Sequence, residues 1–176
     1  MKSYAAAVLL SMGLSMGTAF AADMTAPVKE FIDVVAGNWR ADNPTSEDAF
    51  AEERLDRLFS ADFAAAYREA SKFPAYDPPE GETTGSPFDY DPIAGGQDGC
   101  PFENIRVEDE GDGQVTARFN NRKCFGDAPE NLEDRVLLFH MQVEKGRPVI
   151  DDMHIVVDGN AEASESFKDE LRKISE

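Results

Sequence analysis

The sequence predicts an α+β fold, with N-terminal helices packed on an antiparallel sheet and a further helix at the C-terminus. Three observations carry the prediction. Apolar residues recur at helical spacing through the first half of the chain, at strand spacing through the second half, and at helical spacing again near the end. Segregation of this kind belongs to α+β architecture, because βαβ units would alternate the two periods along the chain.

Ahead of the first helix lies a targeting segment. Lys2 supplies a positive start, Ala5 to Leu14 is apolar apart from Ser11 and Gly13, and Ala19-Phe20-Ala21 offers the small residues that a signal peptidase reads. Residues 1–22 are therefore expected to be a cleaved signal peptide, leaving 176 − 22 = 154 residues, 23–176, as a single domain. The apolar run falls short of the ~20 residues that a membrane-spanning helix needs, and no later segment approaches that length. No cysteine precedes Cys100, so a lipid-modified cysteine at the new N-terminus is excluded. The expectation is a soluble protein of the periplasm or the medium, without a membrane anchor.

Helix one starts at Pro27, a residue suited to a first turn, and carries Val28, Phe31, Ile32 and Val35 on one face before Gly37. Asn43-Pro44-Thr45 is read as the opening of a second helix, capped by Thr45 or Ser46, with Glu47 and Asp48 at its positive end. Its buried stripe is Phe50, Leu55, Leu58 and Phe59. Ser60 caps a third helix whose inward face is Phe63, Ala64, Tyr67 and Ala70, and Phe73-Pro74 stops it. From Pro74 to Pro101 the chain is rich in Pro, Gly, Asp and Thr without a period, which reads as a long connection; ordered loops of this length are often functional.

Phe102 to Val107 and Gln114 to Phe119 read as strands joined through Glu110-Gly111-Asp112-Gly113. Arg135 to Glu144 and Arg147 to Val157 flank Lys145-Gly146 as a second, longer hairpin. Both of its faces carry apolar residues, which places it centrally in the sheet. Ser164 or Ser166 then caps a last helix with Phe167, Leu171 and Ile174 at i, i+4 and i+7.

Carboxylates outnumber cations 35 to 17, for a formal charge of −18, and loss of Lys2 with the leader makes this −18 − 1 = −19. Such a surface repels phosphate backbones, which argues against nucleic acid and anionic lipid and permits a cationic ligand, a metal ion or a basic protein. It also serves simply to keep an exported protein soluble. Cys100 and Cys124 are the only thiols, and in an oxidising compartment they are expected to form a disulfide.

Across residues 23–176 the usual catalytic signatures (G-x-S-x-G, S-x-x-K, H-E-x-x-H, G-x-x-x-x-G-K-[ST], G-x-G-x-x-G) are absent, and with His140 and His154 as the only imidazoles a multi-histidine zinc site cannot be assembled. If Lys145-Gly146 is a two-residue turn, paired positions sum to 291, which sets His140 opposite Asp151 as either a general-base pair or a cross-strand ion pair. His154, between Met153 and Ile155, reads as a half-buried packing residue. The densest polar cluster is Asp89-Tyr90-Asp91-Pro92-Ile93-Ala94-Gly95-Gly96-Gln97-Asp98, where Asp89, Asp91, Gln97 and Asp98 offer hard oxygens to a ligand or to calcium. It departs from an EF-hand loop, since Ile93, Ala94 and Cys100 occupy the fifth, sixth and closing positions. Asp-type turns and backbone capping ahead of the disulfide account for the same residues structurally.

Leu58-Phe59-Ser60-Ala61-Asp62-Phe63, then Asp91-Pro92 with Gln97-Asp98, a β-hairpin, and Val149-Ile150-Asp151-Asp152-Met153 in a final strand together resemble a family of exported bacterial domains of unknown function. Those domains are similar to the cone-shaped superfamily that includes nuclear transport factor 2, ketosteroid isomerase and the cystatin-like folds. The resemblance covers about Pro27 to Val157, and its most specific piece is the Asp91-Pro92 to Gln97-Asp98 stretch. It implies a curved sheet wrapped against the N-terminal helices with a pocket between them, and no particular activity, because that scaffold hosts isomerases, dehydratases, binding modules and interaction domains. Two departures stand out: Arg147-Pro148 takes the place of a tryptophan found in related domains, and the C-terminal helix is an addition. No tyrosine matches the role of an isomerase's Tyr–Asp pair.

The functional expectation is an exported, soluble, non-enzymatic binding or interaction domain. One alternative is a small-ligand pocket protein or enzyme of the cone superfamily, with His140 and Asp151, or Asp91 and Asp98, as acid and base. Another is an immunity-type protein whose acidic surface covers a basic toxin.

Overall fold

The computed structural model describes residues 22–43, 45–78, 80–156 and 166–176. The leader, but for Ala22, lies outside the described residues, as do Val157 and Ser164.

Helix α1 (Ala26–Asn38) begins with Pro27 in its first turn and buries Val28, Phe31, Ile32 and Val35, the stripe that its spacing predicts. The second helix starts later than expected: α2 is only Glu52–Leu58. Asn38 explains the delay, since its Nδ2 donates to the Glu47 carbonyl at 2.7 Å and its Oδ1 accepts from the Glu47 amide at 2.8 Å. Asn43 Nδ2 donates to the Gly37 carbonyl, and Asp48 Oδ1 accepts from the Phe50 amide. Asn and Asp side chains thus offer the backbone a folded alternative to helix. Phe50 still reaches the core, but from a turn. Helix α3 (Ala61–Ala70) is capped as predicted, with Ser60 Oγ accepting from the Phe63 amide at 3.0 Å.

The sheet has four antiparallel strands in the order β1-β2-β3-β4: Glu103–Gly111, Gln114–Asn120, Arg135–Glu144 and Arg147–Val156. The longer hairpin is therefore not central as a unit: β3 is an inner strand and β4 an edge. Both faces of β4 read as apolar because helices, rather than another strand, close that edge. Phe59 bridges Ile150 in parallel, and the Ser60 amide donates to the Ile150 carbonyl at 2.8 Å. The opposite edge, β1, is exposed along almost its whole length.

A 3₁₀ turn (Lys123–Phe125) and the short α4 (Pro129–Leu132) connect β2 to β3. Cys100 and Cys124 are joined as a disulfide with Cα atoms 5.7 Å apart, tying the end of the long loop to this connection. Helix α5 (Phe167–Ile174) is capped by Ser166, whose Oγ accepts from the Asp169 amide at 3.1 Å, and it buries Phe167 and Leu171 against α3 and β4.

The helices cover one sheet face, and aromatic rings fill the space between. Phe31, Phe59, Phe63, Phe119 and Phe139 are fully buried, with ring centroids 5.2 Å apart for Phe31–Phe59 and 4.5 Å for Phe59–Phe63. Where Ile93, Leu137, Met153 and Phe167 meet, a void of about 30 Å³ remains, room for a single water at most.

Two stability outcomes follow from this packing. Replacing Cys100 and Cys124 by alanine closes no loop in the unfolded chain and should lower the unfolding free energy by about 3 kcal/mol in a urea titration; an unchanged midpoint would show that the staple does not stabilise. Ser60→Ala removes a buried cap and should cost about 2 kcal/mol, with Ser60→Thr recovering part of it.

Candidate functional site

The polar residues singled out from sequence separate into two structural clasps and an open groove. At the end of the β3–β4 hairpin the pairs do sum to 291, from Glu144↔Arg147 to Met141↔Ile150. A bulge then inserts Asp151, and His140 pairs with Asp152 instead. The predicted His140–Asp151 pair is therefore overturned by one extra residue, which shifts every later partner by one. His140 faces His154 edge-on, ring centroids 5.0 Å apart, and His154 Nε2 lies 3.6 Å from Asp152 Oδ2.

Both aspartates of the bulge hold helix α5. Asp151 accepts from Ser60 Oγ at 2.8 Å, Gln142 Nε2 at 3.2 Å and Lys168 Nζ at 2.9 Å. Asp152 accepts from the Lys168 amide at 3.0 Å and from Ser166 Oγ. Lys168 is buried, and its ammonium also meets Asp62 at 3.0 Å. Burial alone would lower its pKa, but the hydrogen bonds to Asp151 and Asp62 outweigh that and raise it. The same contact, with Arg172 adding to it, holds the Asp62 carboxyl below the usual range. A carboxylate engaged by three donors, as Asp151 is, is a brace rather than a free base.

The Asp89–Asp98 loop is the second clasp. Asp91 Oδ1 accepts from the Ile93 and Ala94 amides at 2.9 and 3.0 Å, and Oδ2 accepts from Trp39 Nε1 at 2.7 Å. Gln97 Nε2 donates to the Asp89 carbonyl at 2.7 Å. Both Asp91 oxygens thus have donors, and among the described residues no group of three or more His, Cys, Asp or Glu could hold a metal ion. Asp-type turns and backbone capping account for Asp91, and Asp98 lines the groove described below. Arg135, which sequence reasoning missed, grips the loop from below: Nε donates to the Ile93 carbonyl at 2.7 Å and Nη2 to the Pro92 carbonyl at 3.1 Å. Gly95, at φ +83°, has to be glycine there, because a Cβ would sit 2.5 Å from Arg135 Nη1.

On the sheet face away from the helices lies an open groove of about 1060 Å³. Strand alternation builds it. Val115, Ala117 and Phe119 point into the core, so Thr116 and Arg118 point out, beside their β3 partners Leu138 and Val136. Arg122, Arg135, Glu130, Glu133 and Asp98 complete the walls. A smaller depression of about 730 Å³ between α3 and the long loop is floored by Phe50, Tyr67 and Phe88. Burial drives the Tyr67 hydroxyl far above the usual phenol range, with Asp48 adding to the shift, so it stays protonated.

Comparison of the chain with protein-family models, curated proteins and solved structures returns no match.

The α5 clasp makes stability depend on pH at both extremes. Asp62 has a lowered folded pKa, so its contribution is complete above about pH 4 and disappears as pH falls through the folded value. Lys168 has a raised one, so its contribution is complete below about pH 10 and disappears as pH rises through the folded value. Urea midpoints should form a plateau between these limits and fall on either side. In Lys168→Met the alkaline fall should shrink; an alkaline limb identical to that of the parent would refute the clasp.

Proposed function

We propose that this chain is an exported, soluble, non-enzymatic binding domain that recognises its partner across its surface. The observation that carries the reading is the filled helix–sheet interface, in which five fully buried phenylalanines occupy the space where a cone-like protein would keep a pocket. Asp151 and Asp91, one carboxylate from each acid–base pair suggested by sequence, are spent on holding α5 and the long loop. The leader pattern and the cross-linked thiols fit an oxidising compartment outside the cytoplasm. Kinship with the cone superfamily draws support from the arrangement of helices on one face of an antiparallel sheet, and from nothing finer.

The partner that suits this surface is a basic protein. Glu103, Glu108, Asp109 and Glu110 stand exposed along β1, an edge strand whose outer backbone groups can accept a further strand. A toxin-neutralising role is one version of this reading, since an acidic cover would oppose a basic toxin. A second reading, a small-ligand binder, is favoured by the groove on the other sheet face.

Cross-linking in intact cells, followed by mass spectrometry, tests the first reading. Protein released by osmotic shock should begin at or next to Ala22 and carry a discrete basic partner linked near β1. Glu103→Lys with Glu108→Lys should reduce that adduct about tenfold. An uncleaved protein in the cytosol, or an adduct indifferent to the charge reversal, would overturn it.

A further inference from the structure

The groove gathers three arginines that no ion pair among the described residues engages. Carboxylates outnumber cations 35 to 17, and most arginines have found one: Arg40, Arg54, Arg57, Arg68, Arg106 and Arg172 all form ion pairs. Arg118, Arg122, Arg135 and Arg147 do not, among the described residues, and the first three gather at the groove, although Asp98, Glu110, Glu130, Glu133 and Asp134 line it too. Arg135 is spent on backbone carbonyls; burial lowers its pKa, the Asp91 carboxylate opposes that shift, and the nearby Arg122 adds to it.

Arg118 stands directly opposite Arg106 in the β1–β2 ladder. Like charges in register destabilise a strand pair. Asp134 pairs with the Arg106 guanidinium at 3.3 Å, and Arg118 faces the groove without an ion-pair partner among the described residues. Folding gains nothing from a cation held this way, whereas a ligand would. The floor next to it is apolar: Val136, the β3 partner of Arg118, and Leu138 two residues on. That spacing gives an apolar strip of roughly 7 Å.

We propose that this groove binds a small organic monocarboxylate, its carboxylate received by Arg118 and Arg122 and its short acyl or aryl body lying on Val136 and Leu138. This deepens the small-ligand reading of the groove. Guanidinium forks match a carboxylate in a bidentate manner, so the pairing carries direction as well as charge. Asp98, Glu110, Glu130, Glu133 and Asp134 on the walls, with the strongly acidic surface beyond, set the charge limit: they repel phosphate-rich or multiply charged anions and leave room only for a single carboxylate held directly by the two arginines.

Isothermal titration of the full mature protein with octanoate, 1-octanol and inorganic phosphate tests the assignment. Octanoate should bind, its affinity should fall with added salt, and octanol and phosphate should each bind at least tenfold more weakly. Arg118→Ala and Arg122→Ala should each weaken octanoate at least tenfold. Among the described residues neither side chain has a hydrogen-bond or ion-pair partner, so neither variant should lower the parent's melting temperature without ligand, and both should lose its ligand-induced rise. Equal binding of octanoate and octanol, phosphate binding as tight as octanoate, or octanoate binding unchanged in both variants would overturn the proposal. These substitutions leave the β1 carboxylates untouched. A failed titration beside an intact partner adduct would therefore reject the groove site alone, and the reverse result would reject the protein partner alone.

Discussion

The structure depends on how the exposed edge of β4 is closed. An edge strand with apolar residues on both faces invites pairing with another chain, and here the segment between α2 and α3 lies along it. Ser60 is the centre of that closure. Its amide donates to the Ile150 carbonyl, its hydroxyl caps α3 through the Phe63 amide, and the same hydroxyl donates to Asp151. One fully buried residue therefore joins a strand edge, a helix start and the bulge. The bulge in turn turns Asp151 and Asp152 toward Lys168 and Ser166, so α5 docks where the sheet would otherwise end.

Much of this architecture was legible because local and global signals agree. The stripe of α1, the Ser60 and Ser166 caps, both hairpins and the disulfide follow from periodicity, turn residues and cysteine count. The errors arise where a distant partner decides. The start of α2 was misplaced because Asn38 and Asp48 hold the backbone in turns, a competition that helix-opening patterns do not register. The register of His140 was misplaced because the turn does set the sum of paired positions, but only as far as Met141. Past that point the extra residue is held by Ser60 and Lys168, 91 and 17 positions away in sequence.

The groove was the least legible feature, and the reason is electrostatic. Composition describes an average, and an average of two carboxylates per cation predicts attraction to cations everywhere. Strand alternation and register then sort the charges, gathering Arg118 from β2, Arg122 from the following turn and Arg135 from the start of β3 around one hollow. No spacing rule in one dimension joins these three. A faint signal existed in Arg118 near the end of β2, alternating with the apolar Val115, Ala117 and Phe119 of the opposite face, and in Arg122 just beyond the strand.

Rigidity of the groove wall follows from the covalent staple. The disulfide fixes Cys124 two residues beyond Arg122, and the Cys100 amide donates to the Asn121 carbonyl at 2.9 Å, next to that arginine. Asn121 Nδ2 donates to the Ala94 carbonyl at 2.7 Å, which couples the same turn to the loop that Trp39 and Arg135 clasp. The wall is therefore ordered before any ligand arrives. A ligand meeting arginines carried on a fixed backbone costs less ordering than one that must also gather the turn, so this geometry would add to affinity. Reduction would loosen one end of this chain of contacts while leaving the phenylalanine core, on the far side of the sheet, intact. The disulfide thus acts twice, restricting the unfolded chain and tying the long loop to the β2–β3 connection along one wall of the groove.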